Sequence, residues 1–254
     1  MLSYQWHAKQ GIPVVFLHGL LGSQSDWQRV ISLLQNCQKI RPLTIDLPFH
    51  GLSQQIACAD FLALRMQLNT TLTSVIGSQP FYLVGYSLGG RTALDYTLNI
   101  NNQYLRGSVL EGTNIGLSSE SERRARWQND CQWANRFNQE TIENVLDDWY
   151  QQAIFSDLID TERESYINSR KHNQGKLIAQ MLKATSLAKQ PYYAKQLTLT
   201  DKNIIFFIGE KDKKFRQMAE QNQLPVQIIS NAGHNAHRGN AEDFARKLIT
   251  FIEK

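Results

Sequence analysis

Cysteine is scarce in this chain, and the little there is forms no pattern. Cys37, Cys58 and Cys131 are the only three among 254 residues, an odd number at wide and irregular spacing. That excludes a disulfide framework and a thiolate metal site. Long apolar runs are missing too. None approaches the roughly 18 residues that a membrane-spanning helix needs. The opening Met-Leu-Ser-Tyr-Gln-Trp-His has no basic segment leading into an apolar stretch, so no secretory signal is read and a cytoplasmic location is expected. The 27 basic and 23 acidic residues leave a net charge of +4. The basic residues are scattered rather than blocked, which leaves no nucleic-acid footprint. The histidines lack ligand spacing, and there is neither a dinucleotide fingerprint nor a phosphate loop. No metal and no cofactor is therefore implied. Internal repeats, low-complexity tracts and linkers are also absent.

What remains, 42% apolar and 20% charged, is the composition of a soluble globular chain with a sizeable core. Short apolar runs alternate with longer stretches of helical period, the signature of a mostly parallel sheet with crossover helices, an α/β fold. Strands are predicted at Val14–Leu17, Leu43–Asp46, Phe81–Gly85, Gly107–Leu110, Ile204–Ile208 and Val226–Ile229. Ser25 with Gln28 reads as a capping box ahead of Val30, Ile31 and Leu34. Asp60 is placed to cap a helix carrying Leu64, Leu68, Leu72 and Val75, with Gly77 closing it. Asn240 is placed to cap the last helix. From about Asn114 to Thr200 no strand is predicted. The expected organisation is an α/β core over 1–113 and 201–254 with a helical cap inserted at 114–200, forming one folding unit.

The positions that follow the predicted strands carry the chemistry. In order they are His18-Gly19, Asp46, Ser87, Glu111-Gly112, Asp212 and, after a short loop, His234. Ligands of an open parallel sheet bind at the carboxyl ends of its strands, so all six fall on one rim. Gly85-Tyr86-Ser87-Leu88-Gly89 matches G-x-S-x-G between a strand and a helix, where two glycines allow the sharp turn that presents a serine. His234 is the candidate base. Asp212 is the favoured acid to orient it, in the chain order Ser…Asp…His, and Glu111 competes for that role. The backbone N–H groups of Leu20 and Leu88 are placed to form an oxyanion hole. His18 and His50 read as structural, His237 as a supporting loop residue, and His7 and His172 as solvated.

These elements resemble the α/β-hydrolase superfamily across the chain. Within it they resemble the 2-succinyl-6-hydroxy-2,4-cyclohexadiene-1-carboxylate synthases of menaquinone biosynthesis. The residues carrying this are Gly85–Arg91, Asp148–Gln152, Ala184–Ala188, Gly209–Phe215 and Ala232–Arg238. The resemblance implies a lyase that eliminates pyruvate from a tricarboxylate, with Ser87 as the base, activated by His234 and oriented through Asp212. It also implies substrate contacts from Tyr86, Arg91, Arg126, Trp149 and Arg170, although Arg123 or Arg124 could stand in for Arg126. Trp127 and Trp133 read as packing within the cap. Arg91 has independent support, since a guanidinium beside the nucleophile suits a carboxylate and would serve an ordinary esterase poorly. The alternative is an ester or thioester hydrolase using the same serine as nucleophile. A non-catalytic binding protein would need no triad. The expected partner is a small anionic tricarboxylate, with no nucleic acid and no membrane; the oligomeric state is unknown and a monomer is plausible. The chain departs from the family pattern at Phe49, where glycine is common, and at Leu20, where phenylalanine is frequent.

Overall fold

The computed structural model describes residues 1–35 and 37–253. Its strands are β1 (Tyr4–Trp6), β2 (Ile12–Leu17), β3 (Ile40–Ile45), β4 (Phe81–Tyr86), β5 (Leu105–Glu111), β6 (Ile204–Gly209) and β7 (Val226–Ile229). They form one sheet in the order β1-β3-β2-β4-β5-β6-β7. Every pairing is parallel except that of β1 with β3. The edge strand β1 has no counterpart among the predicted strands. It is three residues long and mostly exposed, so it lacks the apolar run that marks a strand buried on both faces.

Alternate residues of β2 point to opposite sides. Val15 and Leu17 enter one core cluster with Leu64, Leu68 and Leu72 of α2 (Phe61–Ile76) and with Leu94 of α3 (Leu88–Asn99). Val14 and Phe16 enter the other with Trp27, with Val30, Ile31 and Leu34 of α1 (Gln28–Leu34), and with Phe244 and Leu248 of the last helix, Ala241–Ile252. Each of these side chains contributes about 1.5–3 kcal/mol on burial.

Two predicted caps form. Ala63 N donates to Asp60 Oδ1 at 2.8 Å, with Gly77 at the helix end at φ +64°, and Asp243 N donates to Asn240 Oδ1 at 3.1 Å. The Ser25 capping box does not. Gln24–Trp27 is a 3₁₀ turn, α1 starts only at Gln28, and Ser25 Oγ bonds Ser23 Oγ instead. Asp26 in that turn is needed elsewhere, as described below.

Between β5 and β6 the chain runs through α4 (Glu120–Gln139), α5 (Ile142–Trp149), α6 (Asp160–Arg170), α7 (Gly175–Ala184) and α8 (Ala194–Leu199), with no strand among the described residues. The core is then completed by α9 (Lys213–Gln221), α10 (Ala236–Gly239) and α11 (Ala241–Ile252). No described helix is long and apolar enough to cross a membrane. Phe137, Val145, Leu146, Tyr150, Tyr166 and Ile178 of the helical segment build a third apolar cluster, and Leu21 from the loop after β2 inserts into it.

A buried ion pair fastens the same junction. Arg170 Nη1 and Nη2 donate to the two oxygens of Asp26 at 2.6 and 2.7 Å, both side chains about 95% buried. The two charges cancel across 144 residues of sequence. Removing one leaves the other uncompensated in an apolar surround. Asp26→Asn should therefore lower the unfolding free energy by about 3–5 kcal/mol, read from the urea midpoint. Replacing both residues, Asp26→Leu with Arg170→Met, should cost less than the single change.

Candidate active site

Parallel pairing sets Leu17 beside Gly85 and Gly85 beside Leu110, so the loops after β2, β4 and β5 leave the sheet at one edge. The β4–α3 turn is tight. A Cβ on Gly85 would run into the Gly89 carbonyl, and one on Gly89 into that of Leu17. Ser87 itself sits at φ +51°, a conformation costing a side-chain-bearing residue about 1–3 kcal/mol. Ser87 N donates to the Glu111 carbonyl at 2.8 Å, which holds the turn against the end of β5.

Asp212 follows β6 and divides its carboxylate between two tasks. Oδ1 accepts from Phe215 N at 3.2 Å and caps α9, while Oδ2 accepts from His234 Nδ1 at 3.0 Å. The helix start thus orients the acid, and the acid, bonded to Nδ1, leaves Nε2 of the imidazole unbonded to it. Ser87 and His234 line one cavity of about 280 Å³. His234 is buried between Tyr86, Phe215 and Phe155, with ring centroids at 5.4, 4.9 and 6.1 Å. It can come this close to β5 only because Gly112 faces it. That residue has φ +51°, and a Cβ there would stand 2.7 Å from His234 Cε1.

Leu20 and Leu88 also line the cavity. The loop bearing Leu20 is held by two buried neutral histidines. His18 Nδ1 donates to the Gly19 carbonyl at 2.7 Å and Nε2 accepts from Leu47 N at 3.0 Å. His50 Nδ1 donates to the Pro48 carbonyl at 2.8 Å and Nε2 accepts from Leu21 N at 3.1 Å. Burial pushes their pKa values down to about 4 and about 3, which keeps each ring neutral and both nitrogens usable. Phe49 sits at φ +64°, the left-handed region that a glycine would occupy without cost. The buried phenyl group offsets that strain.

Arg91 reaches the cavity wall with no carboxylate on it. Nη1 donates to the Thr185 carbonyl at 2.8 Å and to Gln190 Oε1 at 3.3 Å, and burial, with Arg126 nearby, lowers its pKa to about 9. Arg126 lines the same cavity and is held by Asp130 at 2.8 Å, which in turn accepts from Ser186 Oγ at 2.6 Å. Its neighbours do not compete. Arg123 is spent on the Leu117 and Ala188 carbonyls, and Arg124 lies on the exposed face beside Glu120. Trp149 forms part of the wall and packs edge-on against Trp133, centroids 5.0 Å apart.

Two of the expected contacts stand elsewhere. Arg170 is paired through both Nη groups with Asp26 and is not part of the cavity wall, so its charge is already neutralised. Tyr86 is buried behind the wall, its ring between His234 and His237. Glu111 does not meet His234; its carboxylate binds His237. His172 is exposed, whereas His7 is half-buried and bonds Thr44 Oγ1 at 2.9 Å rather than standing free in solvent.

One cation escaped the sequence reading. Lys214, on the first turn of α9, reaches the cavity mouth, and partial burial with the neighbouring Arg126 lowers its pKa. Its only local signal is the Lys-Asp-Lys-Lys run, in which nothing distinguishes Lys214 from Lys213.

A strand–serine–helix elbow after β4, with an Asp after β6 and a His after β7 in the chain order Ser…Asp…His, defines the α/β hydrolases. The chain matches the alpha/beta hydrolase fold family over residues 12–240. Its curated relatives narrow this. It is 43% identical to the putative 2-succinyl-6-hydroxy-2,4-cyclohexadiene-1-carboxylate synthase of Haemophilus influenzae, over 96% of this chain and 98% of that one. Against the synthase of Yersinia pseudotuberculosis it is 42% identical, over 98% and 90%. Among solved structures it superposes on MenH from S. aureus with TM-score 0.89 at 24% identity, covering 98% and 97% of the chains. A thermophilic esterase from Thermogutta terrifontis shares the fold at TM-score 0.82 and 19% identity, over 99% and 93%. The chain belongs to the α/β-hydrolase family and, within it, to the group of these synthases.

The cavity's unneutralised cations predict affinity for multivalent carboxylates. Citrate should bind, and Arg91→Met should weaken it at least tenfold, about 1.4 kcal/mol, by calorimetry. Lys214→Met should weaken it by a smaller factor, and Arg124→Met on the exposed face should leave it within twofold.

Proposed function

We propose that this protein is a carbon–oxygen lyase of menaquinone biosynthesis. It converts 2-succinyl-5-enolpyruvyl-6-hydroxy-3-cyclohexene-1-carboxylate into 2-succinyl-6-hydroxy-2,4-cyclohexadiene-1-carboxylate and pyruvate. The observation that carries this reading is the convergence of Arg91, Arg126 and Lys214 on the cavity that holds Ser87 and His234, where Asp130 pairs with Arg126 and leaves Arg91 without a carboxylate. Leaving Arg91 desolvated without a counter-ion costs stability that no apolar acyl chain returns. A tricarboxylate returns it through charge-assisted hydrogen bonds. The identity to the two synthases over nearly the whole chain supports the same assignment.

In this reading His234, oriented by Asp212, draws the Ser87 proton to Nε2. The serine oxygen then removes the ring proton next to the succinyl carbonyl. The electron pair released moves through the ring alkene and breaks the bond to the enolpyruvyl oxygen, which leaves as enolpyruvate and becomes pyruvate on protonation. The Leu20 and Leu88 N–H groups stabilise the enolate oxygen that forms on the way. Arg91, Arg126 and Lys214 hold carboxylates, with Trp149 against the ring. The helical segment 114–200 acts as the cap that closes the cavity over the core formed by 1–113 and 201–254 and keeps water from the enolate.

Purified protein given this substrate should release pyruvate in a dehydrogenase-coupled assay, and a wild type that releases none removes the proposal. Ser87→Ala should lose at least 10³-fold in kcat, the scale on which a triad member acts. Mass spectrometry of the wild type during turnover should show no substrate adduct on Ser87, since an acyl-enzyme there marks a hydrolase instead.

A further inference from the structure

A second histidine–carboxylate pair lies directly behind the first. Glu111, the last residue of β5, is fully buried, as is the His237 side chain. One carboxylate oxygen accepts from His237 N at 2.9 Å and the other from His237 Nδ1 at 2.7 Å, so the carboxylate is chelated by a single residue. The His237 ring stacks on Trp27 with centroids 4.0 Å apart, and Tyr86 meets it edge-on at 5.1 Å. Among the described residues His237 Nε2 has no hydrogen-bond partner. The ring's one side-chain hydrogen bond is therefore the Nδ1 contact with Glu111.

The mechanism above uses neither residue, yet the pair touches both halves of it. Through its backbone, Glu111 accepts from Ser87 N at 2.8 Å. Through its side chain, it holds the residue three positions after His234. The next residue, Gly112, lies against the His234 ring, and Tyr86, the residue before the serine, is packed between His234 and His237. Two consecutive residues at the end of β5 are thus a common anchor for the loop that carries the serine and the loop that carries the histidine.

We propose that Glu111, acting through His237, is a positioning residue that sets the placement of His234 relative to Ser87 in the proposed elimination. The His234 loop is also held at its exposed ends, where Asn231 N donates to Glu210 Oε2 and Arg29 donates to the Arg238 carbonyl, while the Asp212 bond fixes the ring's tautomer and tilt. The Glu111 chelate fixes where the backbone carrying that ring stands. Proton transfer is steep in distance, and a displacement of about 1 Å costs on the order of 10²-fold in rate. The cations that hold substrate lie on α3, α4 and α9, outside this link, so loosening it leaves binding intact. The role rests on the lyase reading for its substrate, but the alignment of Ser87 with His234 can be measured without that substrate.

The test is Glu111→Gln, which keeps the side chain's size and an acceptor for His237 N while presenting a donor to the Nδ1 proton. Two readouts are taken well below its melting temperature: kcat and KM for pyruvate release, and the rate at which a fluorophosphonate labels Ser87. The expected result is a fall of at least tenfold in both kcat and labelling rate, with KM within twofold. His237→Phe keeps the stacking on Trp27 and Tyr86 but removes the ring N–H. It should reproduce the loss, and it carries the test alone should Glu111→Gln not fold. Folded variants with kcat and labelling within twofold of wild type, or with an effect confined to KM, overturn the proposal. A wild type that labels normally but releases no pyruvate removes the lyase reading, and the labelling rates then decide the positioning role by themselves.

Discussion

The parallel register of the sheet is the constraint from which the rest of the structure follows. Because β2, β4, β5 and β6 run the same way in near-aligned register, their carboxyl ends meet at one edge. The residues at or just beyond those ends, His18, Ser87, Glu111 and Asp212, thus lie along one edge of the sheet despite standing up to 194 residues apart in sequence. Backbone hydrogen bonds supply this placement before any side chain interacts. The elbow then needs only room, which Gly85 and Gly89 provide, to turn Ser87 outward against its strained φ.

Around that edge the charges fall into two kinds. Arg170 with Asp26 is a closed pair: buried, bidentate and neutral, holding α6 to the turn after β2. Arg91 is open: it is half-buried, satisfied by a carbonyl and an amide oxygen, and carries no counter-ion. The distinction is energetic. A closed pair has little left to offer a ligand, since an incoming carboxylate would have to displace Asp26 and leave it stranded. An open cation gains its first ionic partner only when a ligand arrives. Arg126 stands between the two, oriented by Asp130 but still facing the cavity.

The buried histidines show why residue type alone says little about role. His18 and His50 have both ring nitrogens bonded to backbone, and desolvation holds them neutral, so they serve as rigid struts for the Leu20 loop. His234 gives one nitrogen to Asp212 and keeps the other for the cavity. His237 gives one to Glu111 and leaves the other enclosed. All four are more than 95% buried, and only the partner on each nitrogen separates them.

The sequence by itself determined the α/β class, six of the seven strands to within a few residues, and the strand-end positions of Ser87, Asp212 and His234. Those features are local: apolar runs, turn glycines and the order of motifs along the chain. It did not determine β1, because an exposed three-residue edge strand has no periodicity to read. It favoured Asp212 over Glu111 as the acid that meets His234 but left Glu111 in competition, because both stand at strand ends on the same rim. The tertiary structure decided that pairing, giving Asp212 to His234 and Glu111 to His237. It also placed Lys214 rather than Arg170 beside Arg91 and Arg126. Helical sequence spaces arginines evenly whether they face water, a buried carboxylate or a cavity. Which of these a given arginine meets depends on the packing of the helical segment against the core, and hence on residues more than a hundred positions away.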